Sequence, residues 1–340
     1  MSDLIITNGD SAAEVLTAAG LPGRIVPWRD VLHEGPLVPA PSLSALSDVR
    51  ARFLSERFGV PFAEARADFL ARDAVVEAHA LFDRVAIWVE HDLYDQLQLL
   101  QVLHHLHGSG RSEGLFLVQA DDFIATQMPE TVLRFGEAAI ELRPAMLATA
   151  AALWEALIAP TPEGVLQRLR SPTSTFRFLR PALGRFIEEL PATGSGLPRS
   201  SRVALSVVGQ NGQTPRDVFS RLLASEEAAF MGDWSVFRVL DDLAFASEPL
   251  VAGLETPYPC GGEPEAVDAY LERPLVLTKF GRTVLRGEAD TVAINGIDRW
   301  WAGTHMTGHD AWRWDSIGRR LVPPGGEAVA VPVTREQDWP

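Results

Sequence analysis

The sequence predicts an α/β protein: an open, mostly parallel sheet flanked by helices, then a helical connector, then a winged-helix-like C-terminal domain. Three observations predict it. Short apolar runs alternate with helix-spaced stretches over residues 1–145. Residues 146–195 carry helical spacing and no strand signal. Within 196–340, three helix signals precede two strand-like runs, which is the order of a winged helix, and a Trp-rich segment follows.

The elements follow in order. Leu4–Thr7 reads as a short apolar strand, and Ser11–Ala19 as a helix ended by Gly20 and Pro22. A second strand, Arg24–Pro27, leads to the Pro-rich loop "PLVPAP" at 36–41. Helical spacing returns over 44–58 and 62–82. The run "VAIWV" at 85–89 is apolar throughout, as a strand covered on both faces should be. A helix over 93–107 and a strand over 115–118 complete the alternation. The stretch "PATGSGLPRSS" then reads as a linker, placing the principal boundary at 191–200. Beyond it, helices are expected over 200–208, from Thr214-Pro215, and over 233–245. Strands are expected at 249–254 and 275–278, with "LTKFGRTVLRGE" as the wing.

Composition excludes several classes. The 340 residues are 46% hydrophobic and 22% charged, and no apolar run approaches the ~20 residues of a membrane helix. No signal peptide is read at the N-terminus, and the lone Cys260 fits a reducing compartment, so a cytoplasmic location is expected. The net charge is −15 and Lys279 is the single lysine, which leaves no global footprint for nucleic acid. The segment Arg168–Arg202 is a local basic exception. The third C-terminal helix sets Arg238 against Asp233, Asp241 and Asp242, which suits packing or protein contact better than DNA reading.

Polar residues gather where three strands end. Asn8, Gly9, Asp10 and Ser11 follow the first; Gly9 permits a tight turn there, and Asp10 or Ser11 can cap the next helix. Trp28, Arg29, Asp30, His33 and Glu34 follow the second. Glu90, His91 and Asp92 follow the third, with Asp92 placed to cap a helix that carries Asp95 and Gln96 in its first turns. In an open parallel sheet such ends face one crevice, where ligands bind. His33 can act as a base oriented by Asp30 or Glu34. "DxxHE" has no established metal spacing, and His104, His105 and His107 sit where cationic residues are ordinary, so no metal site is assigned.

The segments "NGDSAAEVL", "VPWRDVLHEGPL", "DLYDQLQLLQVL" and "FMGDWSVFRVLDDLA" together resemble the bacterial domain-of-unknown-function family 1835. The resemblance to the domain covers residues 1–120, and the rest is similar to the part that often accompanies it. It implies an α/β N-terminal domain and brings no established activity. It maps the family's recurring acidic and histidine positions onto Asp10, Ser11, Asp30, His33, Glu34, Asp92, Asp95 and Gln96. The triplet Gly9-Asp10-Ser11 also resembles the nucleophile block of SGNH (GDSL-type) hydrolases. That resemblance implies ester hydrolysis by Ser11, with His33 as base and Asp30 orienting it. Here, however, Asp30-Val31-Leu32-His33 follows the second strand, whereas in those hydrolases the corresponding block lies near the end of the domain.

The expected function is binding of a small polar or phosphorylated ligand at the strand ends, through Asn8, Gly9, Asp10, Ser11, Arg29, Asp30, His33, Glu34, Asp92, Asp95 and Gln96. The C-terminal module would serve protein contact or regulation. No cofactor and no oligomeric state are assigned. An ester hydrolase and a DNA-binding regulator are the alternatives.

Overall fold

The computed structural model describes residues 3–170, 175–210 and 212–326. They form two compact units: residues up to Gly184 with Ala302–Thr304, and Arg185–Trp301 with the residues from His305 onward.

The first unit begins with β1 (Asp3–Thr7), α1 (Asp10–Ala18), β2 (Arg24–Pro27), α2 (Leu43–Phe58) and α3 (Phe62–Glu77). It continues with β3 (Arg84–Val89), α4 (Leu93–Gly108), β4 (Leu115–Gln119), α5 (Pro129–Glu137) and β5 (Ile140–Glu141). Helices α6 (Pro144–Leu157), α7 (Glu163–Leu169) and the first half of α8 (Leu179–Ile187) close it. The sheet runs β2-β1-β3-β4-β5. Its first four strands are parallel, and β5 pairs antiparallel with β4 at the edge.

Strand alternation buries both faces. Ile5, Trp88 and Val118 pack with Ala12 and Leu16 of α1 and Val132 of α5. The alternate residues Leu4, Ile6, Ile87 and Leu117 are equally buried on the opposite face. The topology then fixes the site. After β1 the chain adds β2 on one side, and β3 lies on the other, so the loops leaving β1 and β3 diverge. That divergence is the switch point where open α/β sheets open a crevice.

Gly23 sets the entry to β2. Its φ is +120°, and a Cβ there would lie 2.4 Å from the carbonyl oxygen of Asp3. Gly23→Ala is expected to destabilise the protein by about 2–4 kcal/mol, read by urea unfolding.

Several elements differ from the sequence reading. The helix expected over 62–82 stops at Glu77 and gives way to a short turn, His79–Leu81. Arg111 holds that turn by donating to the carbonyls of His79, Phe82 and Asp83. Helix α5 and strand β5 were not anticipated. The division between units falls at Gly184/Arg185, inside α8, and not at 191–200. The Pro/Gly/Ser stretch lies within the second unit, tied by Trp314 N–H to the Pro191 carbonyl (2.9 Å), Thr193 N–H to the Trp314 carbonyl (3.0 Å) and Gly196 N–H to the Ala192 carbonyl (2.9 Å).

The second unit holds α9 (Arg199–Val208), α10 (Pro215–Ala224) and α11 (Asp233–Ala244), which pack on one another. Then come β6 (Val251–Ala252), α12 (Pro264–Leu271) and β7 (Val276–Leu277), with β6 and β7 antiparallel. Thr214 caps α10 as the sequence suggests, its hydroxyl oxygen accepting from Asp217 N–H. The expected wing is instead helix α13 (Lys279–Leu285), because Thr278 caps it at Gly281 N–H (2.9 Å). Helix α14 (Thr291–Asn295) and the two-stranded pairs β8 (Ile297–Trp301) with β9 (Thr304–Gly308) and β10 (Arg313–Asp315) with β11 (Arg320–Val322) complete the unit, Thr304 itself being counted with the first. Within the Trp-rich segment, Trp301 and Trp314 are buried, and Trp300 stacks on His305 with ring centroids 4.2 Å apart. The basic stretch from Arg168 to Arg202 is partly neutralised within this unit. Arg185 pairs with buried Glu189 and Glu226, and Arg199 with Glu188. Arg238 on α11 donates to Asp241 of the same helix (3.0 Å).

Candidate functional site

The ends of β2, β1 and β3 are neighbours, and backbone and side-chain bonds tie them. Trp28 N–H donates to the Thr7 carbonyl (2.8 Å), and Arg29 N–H to the Asn8 carbonyl (3.1 Å). The Asn8 side chain then crosses to the β3 side, its Nδ2 donating to Asp95 Oδ1 at 2.9 Å. Asp95 Oδ2 accepts from Glu90 N–H at 2.6 Å. Asp92 is the N-cap of α4, and its Oδ1 accepts from Asp95 N–H at 3.1 Å. Gln96 donates through Nε2 to the Glu90 carbonyl at 2.7 Å. Glu90 Oε1 accepts from Ile124 N–H at 2.7 Å.

These bonds collect Glu90, Asp92 and Asp95 in one buried group, with an oxygen from each within 4.8 Å of the others. Three carboxylates so close and so poorly hydrated resist full ionisation. Burial, then the charge of Asp92, pushes Glu90 up to about 7. Burial pushes Asp92 to about 6 against the backbone N–H groups that favour its charge. Asp95 is raised well above the usual range by burial and by Asp92 and Glu90. Near neutral pH the group shares protons, as sites that donate or accept a proton do. Tyr94 borders it. Burial and the charges of Asp95 and Asp30 hold its phenol in the protonated form.

The other strand-end residues form separate arrangements. Arg29, at φ 48°, turns its guanidinium onto Asp10 (Nη2 to Oδ1, 2.6 Å) and Asp68, and all three are partly exposed. An anion would have to compete with two carboxylates for that arginine. Asp30 is buried and committed to Arg50, which donates to it from Nε (3.0 Å) and Nη2 (2.8 Å). Buried His33 lies 3.6 Å from the Glu34 carboxylate, with its ring edge towards Tyr94. Ser11 sits exposed in the first turn of α1.

Neither Asp10 nor Ser11 caps α1. The N-cap is Gly9, which receives no side-chain cap bond. Its backbone is extended (φ −164°), and a Cβ there would meet nothing within 4 Å, so no tight turn demands glycine. Gly9→Ser should therefore supply a missing cap and raise stability by about 0.2–0.5 kcal/mol in thermal unfolding.

A scan of family models finds no match to this chain. A search of curated proteins finds none either.

Sequence reasoning missed three contributors. Glu90 opens "EHD" and lies outside the residues expected to bind ligand, although alternation along β3 puts it on the face of Trp88, towards Ile124. His91 stands between Phe123 and Phe178, with centroids at 5.1 and 5.9 Å, and forms an aromatic rim beside the acids. Arg72 lies 4.1 Å from the fully buried Trp28 ring and donates to its carbonyl. The indole of Trp28 donates to Gln101 at 2.7 Å, so that strand end is fixed from two sides.

Proposed function

We propose that the crevice beyond the carboxyl ends of β1 and β3 binds a small polar ligand, a phosphorylated one included, and that the second unit serves protein contact or regulation. The observation that carries this reading is the Asn8–Asp95 hydrogen bond, which bridges the two diverging loops at the switch point and brings three buried carboxylates there. Buried charges held without a cationic partner are a poor way to stabilise a fold, and clusters with displaced ionisation gather at sites of function. The half-buried rim of His91, Phe123 and Phe178 supplies apolar surface of the kind that covers a bound small molecule. The quoted motifs resemble family 1835, and that resemblance adds no activity to this reading.

The test is thermal stabilisation of the full chain across nucleotides, sugar phosphates and amino acids, with divalent cations present and absent. The reading expects at least one compound to raise the Tm, and Asp92→Asn to remove the shift. A flat response would overturn it. Turnover of an ester panel that Ser11→Ala abolishes would move the reading to the hydrolase.

A further inference from the structure

We infer that Glu90, Asp92 and Asp95 form the binding site of a divalent cation, through which the phosphoryl or carboxylate oxygens of the crevice ligand are held. This inference rests on the reading of that crevice as the ligand site. The donors are all carboxylate oxygens, the set that hard cations take. A spacing of up to 4.8 Å suits an ion with metal–oxygen distances of about 2.3–2.6 Å, such as calcium; magnesium, at about 2.0–2.1 Å, would need the group to contract.

A second, independent observation points the same way. Gln96 is fully buried, and its carboxamide is fixed against Glu90 by the bond from Nε2 to the Glu90 carbonyl. Its other end, Oε1, is buried without a hydrogen-bond partner among the described residues. Buried carbonyl oxygens are normally satisfied, and this one is left open on a side chain tied to the backbone of Glu90 and adjacent in sequence to Asp95, where it can serve a hard cation as a neutral ligand. The chemistry of the ligand follows. Arg29 is already held by Asp10 and Asp68, so an anion approaching Glu90, Asp92 and Asp95 meets negative charge. A dication there reverses that sign and offers open coordination positions to anionic oxygens.

The experiment is calorimetric titration of the chelator-treated full chain with Mn2+ and with Ca2+, each alone. Wild type should take up one ion per chain. Glu90→Gln and Asp92→Asn should each weaken binding at least about tenfold, and Glu288→Gln, an exposed pair partner of Arg286 in the second unit, should leave it unchanged. Circular dichroism checks that each variant is folded. No binding by wild type up to ~1 mM, or binding that Glu90→Gln and Asp92→Asn leave intact, overturns the inference. The two readings fail separately. A ligand that stabilises the chain equally in chelator removes the cation but keeps the crevice. Ion binding with no stabilising ligand keeps the cation and removes the ligand class.

Discussion

Arg50→Met is expected to lower folding stability by about 3–5 kcal/mol, the range for removing one partner of a buried ion pair. Arg50 has no exposed surface. Its guanidinium donates to the Asp30 carboxylate and to the carbonyls of Val31 (3.0 Å), Glu34 (2.6 Å) and Pro36 (3.3 Å). One side chain thus fixes the whole loop after β2. Methionine fills much of the space but leaves the buried Asp30 carboxylate without its arginine, and the carbonyls of Glu34 and Pro36 without that donor, while Val31 keeps the bond from Glu34 N–H. Arg50→Lys should recover little, because an ammonium cannot reach a carboxylate and three carbonyls with the fork of a guanidinium. Adding Asp30→Leu to Arg50→Met should restore most of the loss, since the pair removed together leaves no orphan charge. Urea unfolding of the two single variants and the double variant measures the coupling. A loss below about 1 kcal/mol in Arg50→Met would contradict the assignment of this residue as the support of the loop.

The legible part of the fold was the part written in periodicity. Strands β1, β3 and β4 are short apolar runs buried on both faces, β2 is an edge strand with only Val26 buried, and the sequence located each within a residue of its observed bounds. Strand β5 escaped because it is two exposed residues, Ile140 and Glu141, defined by pairing with β4 and not by any pattern of their own. The wing escaped because Thr278 as a cap outweighs the strand-like run before it. At the site, Asp92 was readable as a cap, since an acid directly ahead of a helical stretch has few other local roles. Asp10 looked the same and behaves differently, because Arg29 on a neighbouring strand end takes its carboxylate. No local rule reports that long-range partner. Arg50 carries its signal in its own helix. Leu43, Leu46, Ser47, Arg50 and Ala51 are the buried stripe of α2 at helical spacing, so an arginine at that position had to be buried and paired. Arg72 sits in the same way among Ala65, Phe69, Asp73 and Val76 of α3. The carboxylate group itself needed the structure. Glu90 and Asp95 are joined through backbone and side-chain bonds that depend on where Asn8 and Ile124 come to lie.

The account holds that Glu90, Asp92 and Asp95 are kept together for a ligand, at a cost to the fold. Glu90 titrates near 7 in the folded chain, against an ordinary 4.5. Its preference for the protonated form stabilises the fold fully below about pH 4.5 and is lost as the pH rises through 7. Above that, the fold carries an added desolvated charge. Glu90→Gln keeps an oxygen for Ile124 N–H and removes that charge. The decisive measurement is urea unfolding of wild type and Glu90→Gln in chelator from pH 5 to pH 8. The variant should be the more stable at pH 8, by on the order of 2 kcal/mol, with the gap closing towards pH 5. A variant less stable than wild type by about 1 kcal/mol or more at pH 8 would make Glu90 a structural tie and contradict the account.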